Sequence, residues 1–194
     1  MTDCTDFRNN ITEVNAHRYY DLFGDPNTIE AFPNGFKMVA GDTKLRSSSL
    51  PKIDPPTSKW TAEDMSQPVL AQRALGFNCL HYEINPEPSR FRHFMPDKAF
   101  LDANCTTGLR LELMFPSCWN GKDLDTPNHK SHVAYPSLVD GGTCPKGFEK
   151  RVPTLFYETI WATHTFKERQ GQFALANGDP TGKFSRNLFQ RSML

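Results

Sequence analysis

Alternation of apolar and polar residues is clearest in "LRLELMF", Leu109 to Phe115, where Leu109, Leu111, Leu113 and Phe115 share one face and Arg110 and Glu112 the other. A period of two is the signature of a strand buried on one side. Other short runs rich in aromatic and branched residues predict strands at Gly35 to Gly41, Phe77 to Ile84, His132 to Val139, Leu155 to Phe166 and Gln172 to Gly178. One segment, "TAEDMSQPVLAQRAL", has the start of a capped helix and predicts a short one ending near Gly76. Fifteen prolines and twelve glycines leave little room for long helices. No regular exchange of strand and helix appears, so the expected fold is mainly β: a single antiparallel sandwich or jelly-roll-like domain with long loops and few short helices.

At 194 residues the chain is long enough for one domain with a real core. Residues 43–67, serine- and proline-rich with paired prolines, read as a surface excursion, and residues 183–194 as an atypical tail. Twenty-two basic residues balance twenty-two acidic ones, so no global field favours nucleic acid or an anionic membrane as partner. No run is long and apolar enough to span a membrane, and the first ten residues, "MTDCTDFRNN", lack the basic start and apolar middle of a signal peptide.

The cysteines point to an oxidising compartment. Cys79 and Cys105 lie 26 residues apart, as do Cys118 and Cys144. Neither pair has the close spacing of a zinc or redox site, and both suit disulfides closing loops of that length. Cys4 is left over, and glycosylation sequons begin at Asn10 and Asn104.

Candidate chemistry concentrates in "DTPNHKSHVAYP", Asp125 to Pro136. His129 and His132 follow a turn at Pro127 and Asn128, with Asp123 and Asp125 on the same loop. Two imidazoles beside carboxylates suit general acid–base work. With a third ligand they would hold a divalent metal. The plainer alternative has His129 bonding its own loop and His132 capping a strand. Glu158, a carboxylate on an otherwise apolar strand, needs either a cleft or a salt bridge to Arg110 or Arg151. Trp119, Tyr135, Tyr157 and Trp161 would offer flat faces to sugar rings where exposed, and serve as core where not. The turn "NGDPTG" carries Asp179, a carboxylate that would stand beside the histidine loop if the last strand pairs nearby. No phosphate-binding glycine loop or nucleophile elbow is present.

Four segments together, "FPNGFKMVAGD", "FPSCWNGKDLDTPNHKSHVAYPS", "CPKGFEKRVPTLFYETIW" and "NGDPTG", resemble the fungal secreted family called domain of unknown function nineteen ninety-six, often fused to the wall-binding WSC module. The resemblance runs from about Thr28 to Gly182. It implies an extracellular or cell-wall, disulfide-bonded, mainly β domain directed at polysaccharide, by binding or by modification. Such proteins usually begin with a signal peptide and an H-x-H segment, and continue past "NGDPTG" through a histidine-bearing stretch. They also tend to carry an acid where this chain has Ala162. By that comparison the chain is expected to be truncated at both ends. The expected functions are therefore a glycan-directed domain, a secreted enzyme centred on His129 and His132, or a truncated member without activity.

Overall fold

The computed structural model describes residues 13–23, 28–42, 48, 50–51, 53–85 and 87–175. Its main body is a four-stranded antiparallel sheet built from β1 (Glu13–Asp21), β2 (Leu75–Leu80), β3 (Gly108–Met114) and β7 (Thr154–Trp161), in the order β1-β7-β3-β2. A smaller antiparallel sheet has the order β5-β4-β6, with β4 (Cys118–Trp119) between β5 (Val133–Ala134) and β6 (Lys150–Arg151). Among the described residues there are also two seven-residue helices, α1 (Gln67–Arg73) and α2 (Lys98–Asn104), and two short 3-10 turns at Thr57–Lys59 and Thr163–Phe166. The mainly β expectation holds, and neither sheet closes into a barrel.

Directly paired residues of an antiparallel ladder point to the same side of the sheet. Leu75, Phe77 and Cys79 of β2, Leu109, Leu111 and Leu113 of β3, and Tyr157, Thr159 and Trp161 of β7 thus share an inner face. That face carries the main core, which also takes in Phe36, Met38, Phe115, Trp119 and Val133. Each fully buried aliphatic or aromatic side chain there contributes about 1.5–3 kcal/mol. The opposite, outer face is divided. At one end Met114 and Phe156 pack with Leu70 and Ala74 of the α1 region and with Tyr135 and Val139, forming a second small core. At the other end Arg110, Glu112 and Glu158 are polar.

Helix α1 begins at Gln67, with Pro68 in its first turn, where a missing N–H leaves no bond unmade. Its N-cap residue Ser66 makes no side-chain capping bond, and the Thr61–Asp64 contact, in which Thr61 donates its N–H (2.9 Å) and its hydroxyl (2.7 Å), closes a separate turn upstream. The Gln67 amide then pins the helix to the backbone of Tyr135 by two bonds of 2.8 Å. The Asp97 carboxylate caps α2 by accepting the Phe100 N–H at 2.8 Å.

Several strand expectations change length. The run at His132 to Val139 supplies only β5, because the chain turns at Pro136, where the Val139 N–H bonds the Pro136 carbonyl at 3.0 Å. Gly35 to Gly41 buries Phe36, Met38 and Ala40 alternately, as a strand would. Its backbone instead bonds to loops, Lys37 N–H to the Leu124 carbonyl and Val39 N–H to the His129 carbonyl, both at 2.9 Å. The described part of Gln172 to Gly178, residues 172–175, forms no strand, although Phe173 and Leu175 are buried.

Candidate functional site

The histidine loop runs from β4 to β5 and hangs on the small sheet. Its base is an asparagine turn: Asn120 Oδ1 accepts the N–H groups of Lys122 and Asp123, both at 3.0 Å, while its Nδ2 donates to the Asp123 carboxylate at 2.8 Å. Asn128 repeats the device, accepting from the N–H groups of Lys130 and Ser131 at 3.0 Å each. Between these turns Asp125 and His129 meet, Nδ1 lying 2.5 Å from Oδ1. The Thr126 N–H also donates to that oxygen, at 2.7 Å. Together they hold the Asp125 carboxyl below the usual carboxylate range, the His129 hydrogen bond being the main cause.

His129 takes a left-handed backbone conformation (φ 54°), uncommon for a residue other than glycine. Its carbonyl is bound by Val39, and its side chain is 45% exposed. With Nδ1 turned to the carboxylate, the neutral ring keeps its proton there and leaves Nε2 as an acceptor. His132 differs in every respect. It is fully buried, packs edge-on against Phe36 with centroids 5.2 Å apart, and places Nδ1 3.2 Å from the Thr126 hydroxyl. Burial pushes its pKa below the ordinary histidine value, against the opposing pull of the Lys37 backbone and of Asp125 and Asp123. Among the described residues, no group of three or more His, Cys, Asp or Glu side chains is arranged to hold a metal ion.

The other candidates lie elsewhere. Trp119, Tyr135 and Tyr157 are buried: Trp119 meets Phe36 edge-on, Tyr157 tilts against Phe115, and Tyr135 donates its hydroxyl to the Met114 carbonyl at 3.0 Å. Trp161 is partly buried against the core, its Nε1 donating to the Thr159 hydroxyl at 2.9 Å. Glu158 points to the outer face, away from the main core against which the histidine loop is mounted, and its Oε1 lies 3.2 Å from Arg110 Nε. Asp179, Cys4 and Asn10 fall outside the described residues. Asn104 ends α2 and donates to the Phe100 carbonyl at 2.9 Å.

The salt bridge of Glu158 to Arg110 expected from the sequence forms; what sequence reasoning missed is that Glu112 shares the same guanidinium. Glu112 and Glu158 are direct cross-strand partners, and Arg110 Nη2 reaches the Glu112 carboxylate at 2.7 Å while Nε faces Glu158. The hidden signal was β1, "EVNAHRYYD", whose polar, non-alternating sequence does not announce a strand.

Both cysteine pairs are disulfides, Cys79–Cys105 and Cys118–Cys144. No helix among the described residues is long and apolar enough to cross a membrane. The molecule is thus a disulfide-stapled, mainly β domain with a fixed acid–imidazole pair on one loop. The chain belongs to the family of the domain of unknown function (DUF1996), whose model matches residues 3–187. No curated protein matched the chain, and neither did any solved structure.

Proposed function

We propose that this domain works outside the cell on a glycan, and that Asp125 and His129 form its acid–base couple. The observation that carries the reading is the 2.5 Å contact between Asp125 Oδ1 and His129 Nδ1 on a half-exposed ring. A carboxylate on Nδ1 fixes the tautomer and stabilises the imidazolium that forms when Nε2 takes a proton. In the reading, Nε2 accepts a proton from water or a sugar hydroxyl as that oxygen bonds to the electrophilic carbon of a glycosidic or ester linkage, then returns it to the oxygen that leaves as that carbon's bond to it breaks. Such a group supplies typically about 10²–10⁴ in rate. His132, buried behind the loop, acts by position only, holding Thr126 and through it the Asp125 oxygen. The two disulfides are compatible with an oxidising, extracellular setting, and the glycan class follows from the family resemblance drawn in the sequence.

The test is a panel of insoluble and soluble glucans, mannans and chitin incubated with the oxidised protein, with released or modified sugar as readout. Turnover that disappears in His129→Ala, at an unchanged melting temperature, supports the reading. Turnover that persists in His129→Ala, or that is abolished by chelator, overturns it.

A further inference from the structure

The outer face of the main sheet carries a second construction that the histidine loop does not use. Glu112 is 1% exposed, yet it is an acid in the middle of a strand. Three groups hold its carboxylate: the Arg90 N–H at 2.6 Å, the Ser89 hydroxyl at 3.2 Å and Arg110 Nη2 at 2.7 Å. Two backbone features make this possible. Arg90 takes a left-handed conformation (φ 56°) that turns its N–H toward the acid, and Gly76 leaves open the space that the carboxylate fills, since a Cβ there would overlap Glu112 Oε2. Burying a carboxylate is unfavourable unless it is fully paired. This arrangement secures the guanidinium of Arg110, which is itself 24% exposed and borders Glu158 on its Nε side. Neither Arg110 Nε nor the buried Asn78 Oδ1, directly across β2–β3 from it, finds an aligned hydrogen-bond partner among the described residues.

Next to these charges stands a platform of rings. His17 and Tyr19 lie two residues apart on β1, on the same side as Glu158, with which His17 pairs directly. Their rings stack at 5.9 Å with 26° between planes, and both residues are exposed, Tyr19 by 41%. The Tyr19 ring is backed by Phe156, with centroids 6.1 Å apart. This exposed, stacked aromatic pair thus adjoins one guanidinium donor, Arg110, 24% exposed, and one carboxylate acceptor, Glu158, only 8% exposed.

The geometry points to a binding site for a neutral sugar unit on this face. The apolar side of the ring lies over Tyr19 and His17, one hydroxyl donates to Glu158, and a neighbouring hydroxyl accepts from Arg110. Glu112 touches no ligand and is a positioning residue for Arg110. The site is distinct from the Asp125–His129 loop and rests on the proposed function only for the choice of ligand class.

Titration of the oxidised protein with soluble hexasaccharides of β-1,3-glucan, β-1,4-glucan and chitin, followed by calorimetry and ligand-observed NMR, tests it. The expected result is saturable binding to at least one of them, weakened about tenfold or more by Tyr19→Ala and by Glu158→Gln, and retained in Tyr19→Phe. Tyr19 is exposed on the strand at the sheet edge, so Tyr19→Ala should fold, and its melting temperature checks this. His129→Ala should leave this binding unchanged, even where it abolishes turnover. Absence of saturable binding to any of the three, or binding indifferent to both Tyr19→Ala and Glu158→Gln, would each overturn the inference. None of these results bears on the acid–base role of His129.

Discussion

Arg73 and Asp54 are joined by two parallel hydrogen bonds, Nε to Oδ2 at 2.6 Å and Nη2 to Oδ1 at 2.8 Å. Arg73 is 2% exposed, and its guanidinium also bonds Asp64 through a carboxylate oxygen at 2.9 Å and the backbone carbonyl at 2.7 Å. Trp60 covers it at 4.2 Å, and His93 reaches the same Asp54 oxygen at 3.3 Å. The clasp ties Asp54 and Asp64 to the end of α1. Removing one partner of a buried pair strands the other, so Arg73→Ala should lose about 3–5 kcal/mol. Arg73→Met, which keeps the stem but not the charge, should also destabilise, because Asp54 and Asp64 lose their cation. Urea denaturation of Arg73→Met with and without Asp54→Asn checks the coupling: the double variant should recover part of the loss.

Glu112 should make the protein less stable as pH rises. Burial, the main cause, lifts its pKa above the ordinary 4.5 despite Arg110 and the Arg90 N–H. The folded state then binds a proton more tightly than the unfolded one, so its stabilising effect is complete below about 4.5 and is lost as pH climbs through the raised value. Glu112→Gln should flatten that part of a stability–pH profile measured by denaturant melts. Gly76→Ala should destabilise by about 1–3 kcal/mol, because the added methyl competes with the carboxylate for the same space.

His132 acts in the opposite sense. Its folded pKa is depressed below 6.5 by burial, so the unfolded chain takes up the proton first. Stability is full above about 6.5 and falls as pH drops through the depressed value. Thermal melts of His132→Asn across this range should lack that acid limb, even if the variant starts from a lower melting temperature.

Much of this architecture was legible because it rests on local pattern. The alternation at Leu109 to Phe115 marked β3, and equal cysteine spacing matched both bridges. The same alternation misled at Arg110 and Glu112, which read as a solvent-facing side. The Ser89–Arg90 segment, far off in sequence, covers one of them, and no periodicity encodes that cover. Gly35 to Gly41 shows the converse: a strand's burial pattern without a strand's partner, since loops at Leu124 and His129 supply the hydrogen bonds. For the site, Asp125 and His129 meet through a bend at Pro127 that spacing alone leaves open. The aromatic residues Trp119, Tyr135 and Tyr157 could not be sorted into core or surface without knowing which face each strand buries.

Reduction of the Cys118–Cys144 bridge should cost about 3.5 kcal/mol, as expected for cysteines 26 residues apart. Cys118→Ser with Cys144→Ser should lower the midpoint of chemical denaturation accordingly, and reductant should have less further effect on that variant than on the parent.

That bridge also encloses the loop carrying Asp125 and His129 in a covalent ring. A protease that clips the backbone anywhere between the two cysteines leaves both pieces attached through sulfur. Nicked molecules would migrate as one band until a thiol is added, and they would retain both segments of the loop. In a milieu crowded with degradative enzymes, a single cut there need not release a fragment.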